Sequence, residues 1–261
     1  MGHFSSLQLA SSFMIASILF FLIIVFYTLG HFFVKRNIKK NPEYITSELG
    51  SINGALLALL GLILAFTFSM ASSRFDTRRQ LVIEEANAIG TAILRTDIYP
   101  DSVRTLLKTN MKAYVEERIT FYQSGMNMKE TVRHYLKADS IGKKIWKITA
   151  DYAKIDNITT RTSELIPALN DMIDITTTRR AAGESTIPDS IMYFLFALCV
   201  CSSFLLGYDN KRKIDWVILI GFSVMLSITV FTIIDLDRPR SGLINMDGPN
   251  EKIIELREMF E

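Results

Sequence analysis

The chain has 261 residues, of which 49% are hydrophobic and 21% are charged, and its mean hydropathy is positive. This composition is too apolar for a typical soluble domain. The formal net charge of +2 gives no overall attraction to nucleic acid or other polyanions.

Four apolar runs are long enough to cross a bilayer, which takes about 20 residues. They predict membrane spans at about 13–33, 52–70, 187–206 and 214–234. A single run could be a buried core helix, but four runs, two on each side of a polar region, favour insertion in a membrane. The first is followed at once by lysine and arginine and has no basic residue before it, which favours an uncleaved span over a secretory signal.

The chain therefore divides into an N-terminal pair of spans in 1–70, a polar region in 71–186, a second pair in 187–235, and a tail in 236–261. Apolar residues in the polar region recur every three or four positions, which predicts helices and no strands. Together these patterns predict an all-α membrane protein with a helical extramembrane domain inserted between spans two and three.

The second span runs into a charged stretch with neither glycine nor proline between Gly61 and Gly90. Helices usually end at such residues. We therefore expect one continuous helix that leaves the bilayer and ends near Tyr99-Pro100, because the residue before a proline is pushed out of the helical conformation.

Small residues, among them Gly54, Gly61 and Ala65, follow one edge of this second span for about six turns. Small residues allow close approach of helices in lipid. The edge fits packing among the four spans of one chain, and it equally fits a helix that packs against its own copies around a symmetry axis.

A second line on the same helix is apolar and consists of Ala58, Leu62 and Phe66, each four residues after the last. Copies of this line around an axis would form a narrow hydrophobic constriction that gates by dewetting. Arg74 and Arg78 follow and are candidates for a pore mouth that attracts anions. Arginines beside a span also commonly anchor it at the interface.

The remaining charged candidates form a predicted structural network, in which Glu84 and Glu85 join Arg78, Arg79 and Asp76 on a solvated or intersubunit surface. Asp237, after the last span, is expected to hold helices or subunits together.

Residues for catalysis are missing from the sequence. The histidines His3, His31 and His134 are too scattered for a metal or triad site, and no phosphate-binding glycine loop occurs. Cys199 and Cys201 lie two residues apart in a span, where helical spacing separates them. We expect no enzyme activity, no metal and no cofactor.

Residues 60–79 resemble the second membrane helix of the bestrophins, where an apolar neck leads to a small and polar stretch and then to arginine and an aromatic residue. Residues 235–242 look like the acidic segment that follows the last bestrophin span. Residues 79–92 and 167–179 carry a closer similarity to the bacterial bestrophin-like family.

This resemblance implies a homopentameric anion channel whose neck falls on Ala58, Leu62 and Phe66. Ala58 is smaller than the usual neck residue, and Thr67 and Phe68 replace the charged and amide residues that follow the neck phenylalanine. The acidic calcium clasp of animal members is not matched.

The sequence does not decide on which side of the membrane the polar region lies. Bestrophins keep it in the cytoplasm. The positive-inside rule favours the opposite orientation, because the two short loops carry seven basic residues: Lys35, Arg36, Lys39, Lys40, Lys211, Arg212 and Lys213.

We thus expect an oligomer, best a pentamer, in a bacterial inner membrane. Its partners are its own copies, lipid and small inorganic anions, without nucleic acid. The rival interpretation is a non-conducting membrane-anchored scaffold or sensor whose helical domain binds a protein partner.

Overall fold

A computed structural model of the chain describes residues 10–40, 49–125, 127–156, 158–238, 242–244 and 246–261. Within these ranges the secondary structure is helical, with no strand. The α-helices are α1 Ser12–Lys40, α2 Leu49–Arg95, α3 Asp101–Gln123, α4 Met128–Ala153, α5 Thr159–Glu184, α6 Asp189–Asp209, α7 Trp216–Leu236 and α8 Asp247–Ile254. Two 3-10 segments follow α2 and α8, at Thr96–Ile98 and Glu255–Phe260.

Four stretches of helix in the described residues are long and apolar enough to cross a membrane. They lie in α1, in the first part of α2, in the helix that ends at Asp209, and in α7. The prediction of a four-span all-α membrane protein is confirmed. The prediction of an uninterrupted second helix is also confirmed, because α2 runs for 47 residues.

The chain forms two compact units. We call Met1–Ser73 with Thr186–Arg238 the membrane unit, and Arg74–Ser185 with Pro239–Glu261 the bundle unit. The boundary falls inside α2, since no turn residue separates the apolar part of this helix from its charged part.

In the membrane unit, α1 and α6 approach so closely that glycine is required on both helices. A Cβ on Gly207 would lie 1.9 Å from the carbonyl oxygen of Tyr27, and one on Gly30 would lie 2.0 Å from that of Phe204. These glycines pack the backbones of the two helices directly together, as small residues commonly do between helices in lipid.

The bundle unit has a hydrophobic core built from one face of each helix. Buried members of this core include Ile89 of α2, Leu107 and Met111 of α3, Ile145 of α4 and Leu169 of α5. This arrangement follows from the 3.6-residue periodicity of the apolar side chains.

Specific residues set the helix ends in the bundle unit. Gly125 has a φ of 52° and forms the turn after α3, and the side chain of Asn127 accepts a hydrogen bond from the backbone of Glu130 to cap α4. Pro100 directly precedes α3. Pro167 lies inside α5.

The C-terminal segment belongs to the bundle unit. Ile253 and Leu256 are buried in its core, and Arg257 forms two hydrogen bonds of 2.7–2.8 Å with the carboxylate of Glu116. The C-terminal residues from 253 onwards thus pack as an element of the bundle unit.

Candidate pore-lining helix

The membrane part of α2 contacts the rest of its chain through a narrow seam. Its buried residues are Asn53, Leu60, Thr67 and Ala71, at spacings of seven, seven and four. Because a helix advances 100° per residue, these four side chains lie within about 40° of one another around the axis. The seam therefore covers one side of the helix and leaves the other sides open.

The predicted neck residues lie on the open side: Ala58 and Leu62 are about 160° from the middle of the seam, and Phe66 is about 120° from it. Leu62 is 51% exposed and Phe66 is 60% exposed, and Ala58 is exposed as well. In the single chain, these three side chains are not covered by the chain's own spans. They are therefore available to face a bilayer, a partner or a shared opening.

The small-residue edge also lies open in the single chain. No atom lies within 4 Å of the position that a Cβ would occupy on Gly54 or Gly61, and Ala65 is exposed. Gly30 and Gly207 behave in the opposite way, since a Cβ on either would collide with a neighbouring backbone. Packing within one chain thus explains the glycines of α1 and α6 but not those of α2.

An apolar groove of about 260 Å³ runs along the remaining flank of α2. Its walls include Ile63, Phe66 and Met70 of α2 and Ile191 and Phe194 of α6. The neck line is therefore bordered by a flat small-residue edge on one side and a concave apolar surface on the other.

Arg74 and Arg78, the candidate mouth residues, bind the C-terminal end of α5. The Nε of Arg78 donates to the carbonyl of Ala182 at 3.0 Å, and its guanidinium also donates to the carbonyl of Ser185 at 2.5 Å. Arg74 donates to the hydroxyl of Ser185. Cations at this position satisfy the last carbonyls of a helix and its negative dipole end.

The two arginines differ in their access to solvent. Arg78 is 5% exposed, whereas Arg74 is partly exposed. An ion in solution can therefore contact Arg74 directly, but it cannot contact Arg78 in this conformation.

Glu85 is the centre of a buried charge network in the bundle unit. One carboxylate oxygen lies 2.5 Å from Nε of Arg118, and the other lies 2.6 Å from a guanidinium nitrogen of Arg179. The hydroxyl of Tyr122 donates to the second oxygen at 2.8 Å. The guanidinium groups also stack on aromatic rings, with Arg179 4.1 Å above the ring of Tyr122.

This network corrects the predicted partners of Glu85. We expected Arg78, Arg79 and Asp76 on a solvated or intersubunit surface, but Glu85 is fully buried and pairs with Arg118 and Arg179. The reason is that Glu85 lies on the core face of α2, next to the buried Ala86. Its partners are 33 and 94 residues away in sequence, beyond the reach of a local pattern.

The environment of Glu85 lowers its pKa to about 2. Burial alone would raise the pKa of this carboxyl, but the positive charges of Arg118 and Arg179 and the hydrogen bonds from Arg118 and Tyr122 outweigh burial. Burial raises the pKa of Tyr122 and keeps its hydroxyl a donor. The network is therefore ionised and hydrogen-bonded at neutral pH.

The other predicted charged residues are distributed separately. Asp76, Arg79 and Glu84 are exposed on α2, and Glu84 accepts a hydrogen bond of 3.3 Å from Gln80. Asp237 is in the membrane unit, where its carboxylate accepts a hydrogen bond of 2.9 Å from the backbone of Ile187.

That contact joins the end of α7 to the segment that precedes α6. Next to Asp237, Arg238 donates to the carbonyl of Ala10 and so ties the same corner to the residues before α1. Among the residues that the structure describes, no group of three His, Cys, Asp or Glu side chains is arranged to hold a metal ion.

The family model of the Bestrophin-like domain matches residues 9–247. The chain belongs to the Bestrophin-like family. The match covers both pairs of spans and the whole polar region, so the bestrophin-like resemblance of the sequence is confirmed. No curated protein has a significantly similar sequence.

Solved structures of bestrophin homologues share the fold of this Bestrophin-like chain. A structure of a bacterial bestrophin homologue from Klebsiella pneumoniae, carrying one mutation, gives a TM-score of 0.68 at 13% identity and covers 96% of this chain and 98% of its own. Another structure of a homologue from this organism gives 0.66 at 14% identity, with 92% and 97% covered. At these identities the likeness establishes the fold.

Proposed function

We propose that this Bestrophin-like protein is a homo-oligomeric ion channel, in which copies of α2 surround a pore with a neck formed by Ala58, Leu62 and Phe66. The observation that carries the proposal is the exposure of Leu62 and Phe66 on the side of α2 opposite its seam. An assembly around α2 would bring copies of these side chains together and form an apolar constriction at its centre.

The flanks of the neck line support a ring of copies. A cyclic oligomer needs two different surfaces, one on each side of the part that faces the axis. The small-residue edge of α2 lies on one side of the neck line, and the apolar groove lies on the other. The open space at Gly54 and Gly61 leaves room for a neighbouring backbone. We propose five copies, on the resemblance to bestrophins.

Small inorganic anions are the proposed permeant ions. Arg74 is the better of the two mouth candidates, because it is partly exposed whereas Arg78 is buried against the end of α5. A ring of arginines held in place by hydrogen bonds would keep a fixed positive field beside the neck. We place the channel in a bacterial inner membrane. The proposal assigns the bundle unit to neither side of that membrane.

The alternative function is a scaffold or sensor that does not conduct. One surface favours it: Met128, Val132 and Leu136 of α4 form an exposed apolar stripe at four-residue spacing, with exposures of 47–57%. Exposed stripes of this kind commonly bind protein partners.

The experiment that tests the proposal combines stoichiometry with flux. Native mass measurement of the purified full chain in detergent is expected to give a closed oligomer of five copies. Liposomes that contain the protein are expected to release chloride faster than empty liposomes. A monomer, or an oligomer without flux that copurifies with a protein in fixed ratio, would overturn the channel in favour of the scaffold.

A further inference from the structure

Three consecutive residues at the end of α6 bind the other helices of the membrane unit. Asn37 of α1 donates to the hydroxyl of Tyr208 at 2.9 Å. Asn210 donates to the hydroxyl of Tyr27 at 2.9 Å. We call Tyr208, Asp209 and Asn210 the polar clasp.

The clasp reaches α2 through Asp209. The amide nitrogen of Asn53 lies 3.1 Å from a carboxylate oxygen of Asp209, and Asn53 is buried at the start of the seam. Among the described residues between Gly50 and Met70, this hydrogen bond is the one that joins α2 to another helix. The hydroxyl of Thr67, by contrast, bonds within α2, to the carbonyl of Ile63.

The attachment between α1 and α6 differs from that of α2. α1 and α6 are locked by the glycine contacts at Gly30 and Gly207, where the backbones touch. They are also joined by His31, whose Nδ1 donates to the carbonyl of Asn210 at 2.8 Å. Among the described residues, the membrane part of α2 is held by its narrow seam together with the hydrogen bond from Asn53.

An apolar seam does little to set the rotation of a helix in a bilayer. Lipid chains are as apolar as Leu60, so rotation of α2 about its axis exchanges protein contacts for similar lipid contacts. A buried amide bound to a carboxylate is different, because rotation would take the amide of Asn53 away from its partner while it stays inside the protein. The Asn53–Asp209 bond therefore sets the rotation of α2 at its membrane end, and core residues such as Ile89 hold the same helix in the bundle unit.

We propose that Asp209 is a positioning residue that holds the rotation of α2 through Asn53, and so keeps Leu62 on the side of the helix that faces the pore. The proposal rests on the proposed function, since it takes the pore to be on the side of Leu62. It assigns to the segment Gly207–Asn210 a role in keeping the neck aligned.

The test first disrupts the Asn53–Asp209 pair and then restores it with the two side chains exchanged. Asn53→Asp places two carboxylates against each other. Adding Asp209→Asn recreates an amide–carboxylate pair with the roles exchanged. Asn37→Ala is the matched control, because it breaks a clasp bond to α1 and leaves the one to α2.

The first readout is the rate at which a charged, membrane-impermeant thiol reagent modifies a cysteine on α2 of the full chain in liposomes. Leu62→Cys reports the neck side, and Leu64→Cys reports a position about 160° around the helix, where the side chain is partly buried. Both are made after Cys199→Ala and Cys201→Ser. The second readout is chloride flux.

In the parent, Cys at position 62 is expected to react about tenfold faster than at position 64. Asn53→Asp should bring the ratio towards one and alter the flux, the exchanged pair should restore both, and Asn37→Ala should leave the ratio in place. An unchanged ratio in Asn53→Asp, or a ratio that the exchanged pair does not restore, would overturn the positioning role.

The outcomes separate the two proposals. A ratio that shifts and is restored, with no flux in any variant, supports the clasp and removes the channel. Flux in the parent with an unchanged ratio removes the clasp and keeps the channel. Equal reaction, or no reaction, at both positions in the parent would overturn the clasp together with its pore-facing neck.

Discussion

The Nε of Arg118 lies 2.5 Å from Oε1 of Glu85, and their side chains are 1% and 0% exposed. A buried ion pair of this kind contributes little compared with an apolar pair of the same volume, but removal of one partner is costly. In the bundle unit, this carboxylate of α2 binds cations of α3 and α5. The contacts therefore form only when the three helices are packed together.

Glu85→Gln is expected to destabilise the bundle unit by about 3–5 kcal/mol, because two buried guanidinium groups lose their counter-charge. Denaturant unfolding of the full chain in detergent measures it, followed by the fluorescence of Trp146 after Trp216→Phe. Glu84→Gln is the matched control and should stay within about 0.5 kcal/mol, since Glu84 is exposed. Equal effects of the two substitutions would contradict the buried network.

The free energy of unfolding of the bundle unit should also depend on pH. The pKa of Glu85 falls from 4.5 to about 2 on folding, so its contribution is fully present above pH 4.5. The contribution is lost as pH falls from about 4.5 towards 2, because the unfolded chain takes up the proton first. Unfolding curves across this range should converge for the parent and Glu85→Gln. Parallel curves would show that Glu85 is not the group responsible.

Arg78→Gln is expected to cost about 1.5–3 kcal/mol of stability, since it removes charge-assisted hydrogen bonds to the carbonyls of Ala182 and Ser185. Arg79→Gln removes the same charge from an exposed position and should be nearly neutral. Thermal unfolding of both variants in one detergent gives the comparison. If Arg78 served only as an ion contact, its variant would change anion selectivity and leave the unfolding temperature in place.

Gly207→Ala is expected to destabilise the membrane unit by about 1–3 kcal/mol or more, because its Cβ would collide with the carbonyl of Tyr27. Gly61→Ala adds the same methyl group where the single chain has open space. It should keep the folded subunit intact and weaken the oligomer. Size-exclusion chromatography after a series of heating steps distinguishes loss of fold from loss of assembly. Intact Gly207→Ala protein with the parent's heat resistance would contradict the close contact of α1 and α6.

Patterns that depend on neighbours in sequence were enough to predict the helices. The four spans follow from the length of their apolar runs, and the continuity of α2 follows from the absence of glycine and proline between Gly61 and Gly90. The end near Pro100 follows from proline stereochemistry.

Contacts between distant residues could not be predicted in this way. The partners of Glu85 lie on two other helices, and Asn53 and Asp209 are separated by 156 residues. Periodicity placed Leu62 and Phe66 on one line of α2, but only the fold places the seam opposite to them. Polar residues at the ends of apolar runs, such as Asn53 and Asp209, were the available signal for the clasp.

Chloride release from liposomes with Phe66→Ala, compared with Phe21→Ala, tests the central claim most directly. Both phenylalanines are exposed in the single chain, at 60% and 64%, but Phe21 lies on α1, which the proposal does not place at the pore. Truncation of a hydrophobic constriction lowers the barrier to wetting, so we expect Phe66→Ala to raise the release rate and Phe21→Ala to match the parent. Identical rates in all three proteins would contradict a pore bounded by α2.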